Sequence, residues 1–238
     1  DAVMVGYLGQ VDAIVLWPFA RLRGKPIILD AFISLYNTTV EDRQLFSSSH
    51  PLARMIKAIE FLTCSCADRV LLDTSAHADY FATTYRLPRS HFGVVYVGAE
   101  KLFFQTKRRS PPQRRRQRPQ LLFYGQFISL HGIETIVAAA ASERGRAYDW
   151  LIVGEGQDAE HVDALLRTLE LPHVSRLRWI EYENLVDAIV EADLGLGIFG
   201  TGQKAAMVIP NKVFQMLAAG ERFVTRDSPA MRELLGTS

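Results

Sequence analysis

The chain has 238 residues, 48% of them hydrophobic, and a formal net charge of +1, which is enough apolar material for one large or two small cores and excludes a disordered protein. Cys64 and Cys66 are the only cysteines, too few for a disulfide framework and too isolated for a zinc site, so a reducing compartment is expected. No apolar run is long enough to span a bilayer and the N-terminus lacks the order of a signal peptide, so a soluble, cytoplasmic protein is expected.

In chain order, short apolar runs alternate with amphipathic stretches. Residues 2–6, 26–30, 69–73 and 93–97 read as strands, and 11–22, 51–67 and 75–85 as helices, an alternation that predicts parallel βαβ units. Asp30 closes a strand and is read either as an orienting group or as a cap for the next element; Ser34, Tyr36 and Glu41–Arg43 follow it. Cys64 and Cys66 fall in an apolar helical stretch and read as packing residues. Thr74 reads as a helix N-cap, with His77 on the surface. Phe103 and Phe104 read as anchors for a crossover.

Residues 105–119 contain three prolines and seven Lys or Arg side chains, cannot pack a core, and read as a basic linker. It separates a first domain, 1–104, from a second, 120–238. There the rhythm restarts, with strands at 121–124, 150–153, 176–180, 194–199 and 222–225 and helices at 131–141, 159–169, 185–192, 211–219 and 229–235; Trp150 and Trp179 read as core. The opening residues already look like an interior strand and the last follow a helical pattern directly, so the chain reads as a fragment at both ends.

In open α/β sheets ligands bind beyond the carboxyl ends of the strands. Three such loops carry polar signals: Gly125, Gln126, His131 and Gly132 before a helix; Gly154 and Glu155 in a tight turn; and a glycine-rich stretch carrying Lys204, followed by Pro210, Asn211 and Lys212 at a helix start. A helix start offers unpaired N–H groups and a positive dipole end. Lysines there oppose the dipole unless an anion is bound. This stretch is the strongest anion-site candidate, and a diphosphate fits it.

The series Gly154-Glu-Gly156, Leu177-Arg-Trp-Ile180, Ala192-Asp193, Ile209-Pro-Asn-Lys-Val-Phe-Gln-Met-Leu-Ala-Ala-Gly220 and Arg232-Glu-Leu234 resembles, in order and spacing, the donor domain of GT-B fold retaining glycosyltransferases, the family 4 or glycogen synthase-like group, in a divergent Ile-Pro-Asn-Lys subgroup. The segments 67–75 and 95–100 are similar to the acceptor-domain part that precedes the crossover. What the resemblance implies is a fold of two Rossmann-like α/β domains (GT-B), the first incomplete at its N-terminus and the second lacking its C-terminal return helices. It further implies transfer of a sugar, with retention, from a nucleotide-diphosphate donor held in the interdomain cleft, with no cofactor and no metal. Lys204 and Lys212 would stabilise the leaving diphosphate. Gly125, Gln126, His131, Gly132, Gly154, Glu155, Ile180, Asn211 and Gln215 would bind the donor, and Asp30 would lie on the acceptor side.

The partners implied are a nucleotide-sugar donor and a glycan or lipid-linked acceptor, as in cell-envelope polysaccharide synthesis. A lipid-linked acceptor would bring peripheral contact with the inner face of a membrane. The chain departs from the family pattern: Gln126 and His131 stand where basic residues are usual, and Met207 and Gln215 where two glutamates are. A noncatalytic nucleotide-sugar binding protein, or an anionic-surface module acting through the arginine-rich linker, is therefore the rival reading. No specific nucleic-acid recognition is expected.

Overall fold

A computed structural model describes residues 1–105 and 117–236; most of the basic linker and its rival role lie outside the described residues. The chain divides into two compact units. Asp1–Tyr96, Ala206–Val208 and the chain from Ser228 onward make the first; Val97–Ala205 and Ile209–Asp227 make the second.

In the first unit, four short apolar runs form a wholly parallel sheet, β1 (Val3–Val5), β2 (Ile27–Phe32), β3 (Arg69–Leu72) and β4 (Phe92–Val94), paired in chain order. The connections carry α1 (Gln10–Leu22), α2 (Pro51–Cys66) and α3 (Ser75–Tyr85), as a parallel ladder requires. Ile27, Leu29, Val70, Leu72, Phe81 and Cys64 fill its core; Cys64 and Cys66 are buried packing residues as expected. Pairing between β2 and β3 slips between Asp30 and Phe32, and Phe32 takes φ +58°. Asp30 therefore lies inside β2, not at its end. It caps nothing: the Ser34 hydroxyl accepts from Asn37 N–H at 3.0 Å where the following helical turn, Asn37–Asp42, begins.

His77, expected at the surface, has 0% exposure. Thr74 does cap α3, accepting from His77 N–H at 3.1 Å, but the imidazole turns inward, where Nδ1 pairs with Asp73. The carboxylate of Glu233, on α10 (Pro229–Leu235), accepts from Ser75 and Ala76 N–H at 2.7 and 2.8 Å. A carboxylate at a helix N-terminus satisfies orphan donors and the dipole together. This ties α10 to α3 within the first unit, although sequence order groups it with the second half.

The second unit has a parallel sheet of β5 (Gln120–Tyr124), β6 (Asp149–Val153), β7 (Val174–Leu177), β8 (Leu194–Leu196) and β9 (Phe223–Val224), in the order β7-β6-β5-β8-β9. The chain first runs outward from central β5 through β6 to β7, then restarts on its other side with β8. α4 (Lys101–Phe104), α5 (Ile133–Ala141), α6 (Ala159–Leu169), α7 (Tyr182–Glu191), α8 (Gln203–Met207, which spans the boundary between the units) and α9 (Asn211–Ala219) complete the list of α-helices. Phe123, Phe127, Ile133, Ile136, Val137 and Ile152 form the core.

Three expectations fail here. β7 covers residues 174–177, earlier than the expected 176–180, and Trp179 beyond it is 75% exposed, not core. Phe103 is fully buried and meets Tyr182 edge-on at 5.7 Å, whereas Phe104 is exposed and anchors nothing. Burial of Phe103 explains why residues from Val97 belong to the second unit.

Candidate functional site

The second sheet reverses its direction of travel between β5 and β8, and ligands of doubly wound folds occupy the crevice at that switch point, outside the carboxyl ends of the strands. The loops following β5, β6 and β8 converge there. Phe127 N–H donates to Glu155 O at 2.8 Å, Asp158 N–H to Phe127 O at 2.9 Å, and Phe199 N–H to His131 O at 3.0 Å. Backbone approaches are too close for side chains. A Cβ on Gly154, at φ +150°, would fall on the Gly125 carbonyl oxygen, and one on Gly132, at φ +62°, would meet Gly200 N at 2.5 Å. Arg226, which the sequence reading passed over, ties down the third loop by donating to the Gly200 carbonyl.

Lys212 is the centre of this arrangement. It lies in the first turn of α9 with only 5% of its surface exposed. Its ammonium is 3.9 Å from the centroid of Phe123 and donates to the Gly197 carbonyl at 3.5 Å. Burial pulls its pKa well below the ordinary lysine value. Among the described residues no carboxylate pairs with it. An ammonium buried at the positive end of a helix without a counter-charge is costly, and an anion in the crevice removes that cost.

His131 and Gly125 share the spot: a Cβ on Gly125 would be 3.0 Å from Lys212 Nζ and 3.1 Å from His131 Cε1. His131 Nδ1 is bonded to the Gln126 carbonyl. Since a carbonyl only accepts, Nδ1 carries the proton, and in the neutral ring Nε2 is a bare acceptor. Burial, with the Lys212 charge beside it, holds the imidazole pKa down to about 3. In the ligand-free site His131 is therefore not the anion donor that sequence suggested; it becomes one only by taking up a proton. Gln126 contributes its carbonyl to this contact, while the residue as a whole stays exposed.

The other predicted residues separate. Glu155 is exposed and paired with Arg176 and Arg178, both at 3.4 Å; Arg176 also stacks 4.5 Å over Phe127. Ile180 is half-buried beyond β7, and Asn211 is exposed at the start of α9. Lys204 is buried on α8, a helix where a glycine-rich loop was expected. Gln215 is buried; its Oε1 accepts from Tyr124 O–H at 3.1 Å and its Nε2 donates to Glu100 at 3.3 Å. Met207 packs into the core of the first unit. Asp30 belongs to the first unit.

One carboxylate escaped the sequence reading altogether. Glu60, on the apolar run of α2, is 2% exposed and accepts from Ser34 O–H, Leu35 N–H, Tyr36 N–H and Tyr85 O–H. Burial raises its pKa against these four donors. It fixes the segment that follows β2, a structural role. Among the described residues no three His, Cys, Asp or Glu side chains are grouped to hold a metal ion, and no helix is long and apolar enough to cross a membrane.

No protein-family model matches the chain, and no curated protein matches it in sequence. Solved structures do. The Anabaena protein HepE in complex with UDP aligns over 98% of the chain with a TM-score of 0.70 at 14% identity. Sucrose-phosphate synthase from Thermosynechococcus elongatus aligns over 98% with a TM-score of 0.70 at 15%. The catalytic domain of Arabidopsis thaliana starch synthase IV, bound to ADP and acarbose, aligns over 98% with a TM-score of 0.68 at 12%. The fold is GT-B. The chain spans 62, 57 and 58% of those three proteins' lengths. At these identities the likeness establishes the GT-B architecture of the chain, and the chemistry rests on its own residues.

Proposed function

We propose that this chain is part of a glycosyltransferase that moves a sugar from a nucleoside-diphosphate donor to a glycan or lipid-linked acceptor with retention of configuration. The observation that carries this is the uncompensated Lys212 ammonium at the switch point of a parallel sheet, beside the start of α9. Neighbouring folds crystallised with UDP or ADP support a nucleotide as its anion.

In glycosyl transfer, negative charge grows on the diphosphate oxygen as its bond to the sugar breaks. Lys212 and the first N–H groups of α9 are fixed before the reaction and face where that charge develops, which is the economical form of electrostatic catalysis. Lys204 is the second cation of this reading. Gly125, Gly132 and Gly154 let backbone approach the donor, with Gln126, His131 and Asn211 at its diphosphate, Glu155, Ile180 and Gln215 on its nucleoside side and Asp30 on the acceptor side. The reading calls for no cofactor and no metal.

Calorimetric titration with uridine, guanosine and adenosine diphosphates tests it. At least one binds the wild type, and Lys212→Met, which keeps the packing volume, binds it about 10-fold to 100-fold more weakly, the worth of one hydrogen bond to a charged group. Unchanged affinity in the variant removes Lys212 from the role. Release of free sugar from the matching donor separates a transferase from a protein that only binds nucleotide sugars.

A further inference from the structure

Gln215 is not a free amide, because both ends of its side chain are already engaged. Tyr124 O–H donates to Oε1, which fixes the amide so that its NH2 end faces Glu100. The same tyrosine hydroxyl lies 3.3 Å from the Lys212 carbonyl, so Lys212, Tyr124, Gln215 and Glu100 form one connected set.

Glu100 occupies the N-cap position of α4 yet makes no side-chain cap bond. Its carboxylate turns to Gln215 and Tyr182 instead. Partial burial works to raise its pKa, but hydrogen bonds from Tyr182, its own backbone N–H and Gln215 outweigh that, and the net shift is downward. Tyr182 responds in the opposite sense, its phenol pushed up to about 12 by burial and the Glu100 charge. The outcome is an ionised, exposed carboxylate whose orientation is set by an amide and a phenol. A carboxylate has about four acceptor positions; these three donors leave one for a ligand.

Lys212 and Gln215 are three residues apart and share one face of α9, about 5 Å apart along the axis. The site thus presents a cation and, one turn further, an oriented acceptor. Resting on the diphosphate reading of Lys212, we infer that Glu100 is the hydroxyl-recognition residue of this site, accepting a hydrogen bond from a ribose hydroxyl of the nucleoside diphosphate, with Gln215 and Tyr182 as its positioning residues. A carboxylate that accepts from a ribose hydroxyl beside a bound diphosphate is established chemistry in doubly wound folds.

The test compares a nucleoside diphosphate with its 2′,3′-dideoxy analogue and with inorganic pyrophosphate, on wild type, Glu100→Ala and Tyr182→Phe. Wild type should prefer the ribose form by about tenfold or more, the range for hydrogen bonds to a charged group. Glu100→Ala should bind both nucleotides equally while its pyrophosphate affinity stays at the wild-type value, which shows that the variant is folded. Tyr182→Phe should retain part of the preference. If Glu100→Ala keeps the full ribose preference while Lys212→Met weakens nucleotide binding, the Glu100 assignment fails and the diphosphate reading stands. If the wild type binds no nucleoside diphosphate, both fail.

Discussion

At the scale of single residues, the decisive feature is that burial lowers the pKa of two neighbouring basic side chains, Lys212 and His131. His131 makes this measurable. Its folded-state pKa of about 3 lies below the ordinary 6.5, so between those values the unfolded chain binds more protons than the folded one and the ligand-free fold loses stability as pH falls through that window. A bound diphosphate would compensate Lys212, the second cause of the shift after burial, and would offer Nε2 an acceptor. Binding near pH 6 should therefore take up as much as one proton at His131, and affinity should fall as pH rises from 5 toward 8. Calorimetry in buffers of different ionisation enthalpy reads the uptake directly. His131→Asn should take up fewer protons and show a flatter pH dependence; equal uptake in the two proteins would mean that the imidazole stays neutral in the complex.

At the scale of elements, the glycines of the carboxyl-end loops are set by steric approach and the site depends on them. Gly132 has positive φ and backbone of Phe199 and Gly200 against it, whereas Gly202 in the third loop has open space around it and no unusual φ. Gly132→Ala should cost about 1–3 kcal/mol in urea unfolding, and Gly202→Ala should stay within about 0.5 kcal/mol. Equal midpoints would show that the loop packing is not what requires glycine. These loops were legible in the sequence because glycine and polar residues follow apolar runs, and parallel strands buried on both faces announce themselves as such runs. Other features were not legible. β7 starts two residues early because Val174 and Arg176 share one face of a strand as readily as Arg176, Arg178 and Ile180 would, and periodicity alone does not choose. Glu60 looks like any polar residue on an amphipathic helix, since the four donors that justify its burial come from residues 34–36 and 85. The inward turn of His77 depends on Asp73, which reads equally as a loop residue, and Glu100 is meaningful only once α9 packs beside α4.

At the scale of the whole molecule, each unit has its own parallel sheet and its own hydrophobic cluster, while every group placed around Lys212 comes from the second. The membership of Ala206–Val208 and of α10 in the first unit could not be read from linear order, because it is set by tertiary contacts such as Thr74 O–H to Met207 O at 2.5 Å and Glu233 to the start of α3. A ligand stabilises only those openings that destroy its site, by RT ln(1 + [L]/Kd), or ~2.7 kcal/mol at a hundredfold excess over Kd. Amide hydrogen exchange with and without a nucleoside diphosphate should therefore show added protection of that order in β5, β8, α9 and the loops after β5 and β6, with β1–β4 and α2 exchanging as before. Protection spread evenly over β1–β4 would contradict a site built from the second unit alone. Protection of β5 and β8 that disappears in Lys212→Met would tie the stabilisation to that one buried charge.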